Sequence, residues 1–388
     1  MRRWWPMAAT KNEKKRRGSC IVQMQHRTVV ILLIIVAVVI GLLFSCGVAA
    51  AVFFTRSSSS SSSSGSGNNG GSLGSGSGSG NGNGAVAASS SSVAAVSASV
   101  PAATGSFGSK FFAPYLETDM AQTYALAGGP AKFYTLAFVI ADGSGQPSFN
   151  GTQGLAPAGL AAAITALRAK GGDVGISFGG ESGSELATVA TSVASLQAAY
   201  QSVVTAYKLR WADFDIEGGE TEGASVDLRN KAIVGLQKAN PNLMVSFTLS
   251  ADTSGVNPPS VALLQNAKGN GVRIDLVTAM MMDYKGVNAA SVIAGVQATR
   301  AQLIQLGLSS TGVGICPMIG QNDTSGETFS LSDAATVTAW AKSTSWVKLM
   351  TFWSIARDNG GCAGSTYAQP TCSGVSQQTY AYCAACQI

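Results

Sequence analysis

Every other residue in the run Asp213-Phe214-Asp215-Ile216-Glu217 is acidic. In an extended strand alternate side chains share a face, so Asp213, Asp215 and Glu217 project to one side, about 6.6 Å apart per pair. Carboxyls gathered on a buried face repel and desolvate one another, which raises at least one pKa. A carboxyl that keeps its proton near neutral pH can serve as a general acid. Glu217, outermost and longest, is the one best placed to donate. Clustered carboxylates can also bind Mg²⁺ or Ca²⁺. Ligands drawn from a single strand would surround such an ion poorly, so no metal is expected.

Other residues with chemical potential recur at similar places: Ser177-Phe178-Gly179-Gly180, Met282-Asp283-Tyr284 and Trp353, with Tyr115 on the first apolar stretch. They lie at or near the ends of short apolar runs. Strands are predicted at 111–117, 133–140, 173–178, 211–216, 244–250, 275–282, 312–318 and 348–353. Helices are predicted at 158–169, 186–207, 225–239, 259–270, 289–306 and 331–343. This alternation matches an α/β chain folded as a (β/α)8 TIM barrel. An open doubly wound sheet would alternate in the same way, but no Gly-x-Gly-x-x-Gly turn follows the first strand. In a barrel the strand ends converge on one bowl, and four of them carry the residues above.

Asp213-Phe214-Asp215-Ile216-Glu217 resembles the Asp-x-Asp-x-Glu end of the signature of glycoside hydrolase family 18, the chitinases and their relatives. Ser177-Phe178-Gly179-Gly180 is similar to the family's Ser-x-Gly-Gly on strand three. Met282-Asp283-Tyr284 resembles its Met-x-Tyr on strand six, and Trp353 its strand-eight tryptophan. The resemblance covers about 107–380. It implies retaining hydrolysis of β-1,4-linked N-acetylglucosamine, with the substrate's own acetamido oxygen in place of a second enzyme carboxylate. Glu217 would then protonate the leaving oxygen and later activate water. Asp215 would hold the acetamido N–H, Asp213 would share a proton with Asp215, Tyr284 would donate to the acetamido group, and Trp353 would floor the sugar subsite. Met282, Asp283, Gly179 and Gly180 would complete the substrate site. Tyr115 either lines that site or packs, and Asp283 either binds a sugar hydroxyl or caps a helix. No cofactor is implied. Chitin or N-acetylglucosamine oligomers are the implied partners of a chain expected to act as a monomer. An endo-β-N-acetylglucosaminidase acting on N-glycans uses the same chemistry, and a chitin-binding lectin would keep the fold alone. Two positions depart from the family pattern: Arg210 stands where an acid is usual, and Met280 where many members have Gln.

The remainder of the chain is unlike this part. Residues 1–28 hold eight Lys/Arg against Glu13, and 29–54 are almost wholly apolar. The run exceeds the roughly 20 residues that span a bilayer, and the basic head before it predicts a cytosolic N-terminus. A signal-anchor helix is therefore expected at 29–54, behind a basic cytosolic tail at 1–28, with the rest extracellular or lumenal. Secretion after signal cleavage, near Ala49-Ala50-Ala51, is the alternative. Residues 55–106, rich in Ser and Gly, are expected to form a disordered linker, and 107–388 the catalytic barrel. Beyond Arg56 there are 16 basic and 19 acidic residues, so the globular part lacks the positive excess of a nucleic-acid binder. In an exported domain, Cys362 with Cys372 and Cys383 with Cys386 are expected to pair, leaving Cys316 free. Arg357-Asp358 is expected to form an ion pair. Asn322, the first residue of a glycosylation sequon, follows strand seven on the proposed active-site face, so modification there is not expected.

Overall fold

Eight parallel strand positions close on themselves in the computed structural model, which describes residues 100–388. The expected tail, span and most of the linker lie outside the described residues. Among those described, no helix is long and apolar enough to cross a membrane.

The strands, in chain order, are β1 (Phe111–Phe112), β2 (Tyr115–Glu117), β3 (Phe133–Ala141), β4 (Pro147–Phe149), β5 (Asp173–Gly179), β6 (Trp211–Ile216), β7 (Met244–Asp252), β8 (Gly255–Val256), β9 (Leu276–Met280), β10 (Gly312–Cys316), β11 (Gly320–Gln321), β12 (Thr328–Phe329) and β13 (Val347–Met350). The predicted first strand is in fact two pieces. Phe111 and Phe112 pair with Leu349 and Met350 of β13, whereas Tyr115 to Glu117 pair with Thr135 to Ala137 of β3. Pro114 has no N–H to give to either ladder. The strand passes from one neighbour to the other at that point, and so closes the ring. β4, β8 and the β11–β12 hairpin are additions at the loop end.

The helices are α1 (Leu160–Ala169), α2 (Leu186–Val189), α3 (Val193–Tyr207), α4 (Ala224–Ala239), α5 (Pro258–Asn270), α6 (Ala289–Gln305), α7 (Leu331–Ser343) and α8 (Ala381–Ala385). A 3-10 segment, Ala121–Gly128, fills the first helical place. The single helix expected over 186–207 is two, because Ser192 leaves the helical region and caps α3 reciprocally with Ser195. Asn288 with Ser291 and Ser330 with Asp333 start α6 and α7 in the same way.

Alternation along the strands separates two cores. Ala212, Phe214 and Ile216 face the helices, with Ile176, Phe178, Phe247 and Leu249 beside them. Phe111, Phe133, Trp211, Leu276 and Leu349 plug the base of the barrel, with Phe107 against them. Higher inside come Tyr115, Met280 and Cys316, with Phe138, Met282 and Trp353.

The barrel also reaches further toward the N-terminus than 107. Val100 is fully buried, and the carbonyls of Pro101 and Gly105 accept from Arg168 and Arg210. Arg210 thus has a use at the base of the barrel. It and Arg168 grip the buried carboxylate of Asp173 from two sides, at 2.6 Å and 2.7 Å, and its guanidinium lies over the Phe107 ring.

Candidate active site

β6 delivers its acids as the alternation requires. Asp213 and Asp215 are buried inside the barrel, and Glu217, half-buried, leaves the strand as the N-cap of a 3-10 turn. Asp213 is the deepest and the best satisfied. Its Oδ2 accepts from Tyr115 Oη and Ser177 Oγ, both at 2.8 Å, and its Oδ1 from Ser246 Oγ and Thr248 Oγ1. Burial pushes its pKa up while those hydroxyls pull it back. Asp215, 3% exposed, has an Oδ1 with no partner. Burial, then the charges of Glu217 and Asp213, raise it well above the ordinary carboxylate range. Glu217 is raised to about 7, first by burial and then by Glu181, Glu220 and Asp283.

A cavity of about 690 Å³ opens over these acids, lined by Asp215, Glu217, Tyr115, Met280, Met282, Cys316 and Trp353 among others. Sequence reasoning missed Phe138. Its ring stacks on that of Trp353 with centroids 5.6 Å apart and an interplanar angle of 18°, and Tyr115 flanks both. Phe138 lies inside β3, in an otherwise apolar run, and nothing in the sequence sets it apart from a packing residue.

Each expected site residue has a definite place. Tyr115 lines the cavity and also packs, against Phe138 and Trp353, while its hydroxyl donates to Asp213. Gly179 and Gly180 are not among the lining residues and work behind the wall. At φ +101° and +91° they occupy backbone that side chains avoid. A Cβ on Gly179 would overlap the Asp215 carbonyl oxygen, to which Gly180 N–H donates at 2.8 Å, and a Cβ on Gly180 would lie 2.8 Å from the Phe138 ring.

Tyr284 lines the cavity, and its hydroxyl is hydrogen-bonded to Ser291 Oγ at 3.0 Å. Burial, and after it the charges of Glu327 and Asp252, raise its pKa. Beyond the end of β9 the chain turns sharply after Met282, with Asp283 and Lys285 both at positive φ, and Met282 packs with Trp353 and Tyr115. Asp283 neither caps a helix nor is buried. It is exposed in the cavity, and its Oδ1 accepts from Thr324 N–H at 2.8 Å.

Behind Glu217 a buried polar cluster holds the loop. Arg229 of α4 pairs with Glu185 at 2.8 Å, both side chains fully buried, and donates to the Glu220 carbonyl. Tyr200 donates to Glu185 at 2.6 Å, and Glu185 N–H donates to Glu220 Oε1. This ties the loop carrying Glu217 to α2, α3 and α4.

Cysteine and loop expectations divide. Cys362 and Cys372 form a disulfide. Cys383 and Cys386 are free, buried thiols; Cys383 lies against Asp358 and Cys386 against Thr338. Arg357 and Asp358 do not pair with each other. Arg357 donates to the carbonyls of Ile319, Gln321 and Gln369, while Asp358 accepts from the N–H groups of Tyr382 and Cys383 at the start of α8. Asn322 is buried and donates to Met318 and Gly320 carbonyls, which leaves it no room for a glycan.

With this geometry in place, the comparisons with known proteins fall into line. The catalytic domain of a hyperthermophilic chitinase from Pyrococcus furiosus has a TM-score of 0.67 at 28% identity, over 73% of this chain and 95% of that one. Mutants of active domain 2 of the thermostable chitinase from the same organism, complexed with chito-oligosaccharides, give 0.66 at 28% identity, over the same shares. In sequence, the chain is 28% identical over 296 residues to a probable bifunctional chitinase/lysozyme of Escherichia coli, and 29% identical over 274 residues to Endochitinase 11 of Metarhizium anisopliae. These matches take in 69% and 64% of this chain, and only 33% and 52% of the two curated relatives. No family model matches the chain. In its parallel barrel and in sequence, the chain is thus similar to these chitinases, of whose curated members it spans only a part.

Proposed function

We propose that the chain is a chitinase that cleaves β-1,4 linkages between N-acetylglucosamine units with retention of configuration. The observation that carries this reading is the cavity lined by both Glu217 and Asp215, the latter with a buried, unpartnered Oδ1; burial and the neighbouring acids raise Glu217 to about 7. A carboxyl with such a pKa carries its proton for a large part of the time at neutral pH and can pass it to the leaving oxygen. Asp215 Oδ1 accepts the acetamido N–H, which turns the acetamido carbonyl oxygen toward the anomeric carbon. That oxygen attacks as the glycosidic bond breaks, and the electron pair leaves with the oxygen that Glu217 has protonated. Glu217, now ionised, takes a proton from water, and the hydroxide opens the cyclic intermediate on the same face. Asp213, held by four hydroxyls, shares a proton with Asp215 and so tunes it. The stacked Phe138 and Trp353 rings offer the sugar an apolar floor.

Hydrolysis of chitin oligomers by wild type and by Glu217→Gln tests this. Loss of the acid is expected to lower kcat by roughly 10²- to 10⁴-fold, and equal turnover by the two proteins would remove Glu217 from the role.

We further propose that residues 29–54 anchor the chain in a membrane with the barrel on the extracellular or lumenal side. The support is the length of the apolar run and the basic head before it. Alkaline carbonate washing is expected to leave the protein in the membrane fraction. Recovery of a shortened, soluble chain would favour cleavage instead.

A further inference from the structure

The cavity carries charge of one sign. Glu181, Asp215, Glu217, Asp252, Asp283 and Asp323 line it, and no lysine, arginine or histidine does. Two of these acids belong to the chemistry just described. The other four are all exposed and come from four separate connections: after β5, at the end of β7, after β9 and after β11. A fully acetylated sugar polymer is neutral and offers them no counter-charge. Below them Asp215, only 3% exposed, lines the cavity and has a buried Oδ1 with no partner. Beside it the Phe138–Trp353 stack gives a face on which a sugar ring can lie.

A ligand that satisfies all three features has apolar ring faces, at least one acetamido N–H, and positive charges along its length. We propose that the cleft selects partly deacetylated chitin, with an acetylated unit over Asp215 and glucosamine units carrying ammonium groups against the rim carboxylates Glu181, Asp252, Asp283 and Asp323. This rests on the chitinase reading and names its preferred substrate. The physical basis is that a cleft lined by one sign of charge concentrates ligands of the opposite sign, by an amount that falls steeply with ionic strength. After burial, the charges of Glu181, Glu220 and Asp283 raise the proton affinity of Glu217, and bound ammonium groups relieve that repulsion.

The test measures kcat/KM of the full chain on fully acetylated and on partly deacetylated oligomers of equal length. Salt is set at about 10 mM and at about 1 M, across which the Debye length shrinks from about 30 Å to about 3 Å. The deacetylated substrate is expected to be preferred roughly tenfold at low salt, with most of the preference gone at high salt. Asp252→Asn/Asp323→Asn, two changes at exposed positions, is expected to cut the low-salt preference severalfold. A ratio between substrates that ignores both salt and these substitutions would overturn the inference while leaving chitinase activity standing. Failure to hydrolyse either oligomer would overturn the underlying activity and the inference with it. The salt arm uses the unaltered protein, so the outcome does not depend on a variant folding.

Discussion

Asp215 is held where its chemistry is wanted and its burial is unfavourable. A carboxyl raised by burial binds a proton in the folded protein that the unfolded chain has already released. The stability it contributes is complete below its unfolded pKa and is lost as pH climbs through the folded value. For Asp215 that value lies well above the ordinary range, because of burial and the charges of Glu217 and Asp213. Asp215→Asn should therefore be inactive yet lose less stability on going from pH 5 to pH 9. The gap in Tm between the variant and wild type should widen with pH, at roughly 2–4 °C per kcal/mol for a domain this size. A gap that stays flat or narrows would contradict the burial of an unpaired charge. For Glu217, raised to about 7, the proposed mechanism uses the proton-carrying form. Then kcat/KM should fall as pH rises through about 7, and Glu181→Gln, which removes a neighbouring negative charge, should move that limb toward acid. Alternation alone made all three acids of β6 legible in the sequence. The turn after Met282 was not legible: Asp283 and Lys285 take positive φ there, and nothing in the composition of Met282-Asp283-Tyr284 announces it.

At the scale of elements, the loop bearing Glu217 depends on groups that never meet the cavity. Arg229 and Glu185 are fully buried partners, joined by Tyr200 and by the backbone of Glu220. Removing one member leaves the other charge buried and alone, which costs about 3–5 kcal/mol. Arg229→Met should lower thermal stability by that order and reduce kcat more than it alters KM. The double change Glu185→Gln/Arg229→Met should recover much of the stability, and a double variant no more stable than the single would argue against the pairing as the cause. Strand and helix positions could be read from hydrophobic period, because the sheet is covered on its outer face by helices and plugged within. The break at Ser192 and the short hairpins β8 and β11–β12 are local but too brief to show as a period, while the change of partner at Pro114 and the place of Phe138 depend on contacts distant in sequence. Arg210 looked like a departure in the signature, and its meaning emerged only from Asp173, which lies on a different strand.

For the molecule as a whole, the segment after β13 is fastened by a single covalent link among the described residues, Cys362–Cys372. A short closed loop of this kind contributes about 2–3 kcal/mol by restricting the unfolded chain. Cys362→Ala/Cys372→Ala should lower Tm accordingly, and the wild type should shift by a similar amount in reductant. Insensitivity of the wild type to reductant would mean the link is not formed. The free thiols Cys383 and Cys386 are buried and are expected to resist alkylation until the domain unfolds. The first strand has a further consequence, this time for the order of assembly. Phe111 and Phe112 have no parallel neighbour on one side until Leu349 and Met350 have been made. A growing chain therefore carries an open sheet with two bare edges for most of its synthesis, the condition in which sheets recruit other chains. The ring cannot shut by local contacts, because the contact that shuts it joins two of the most distant strands in the domain.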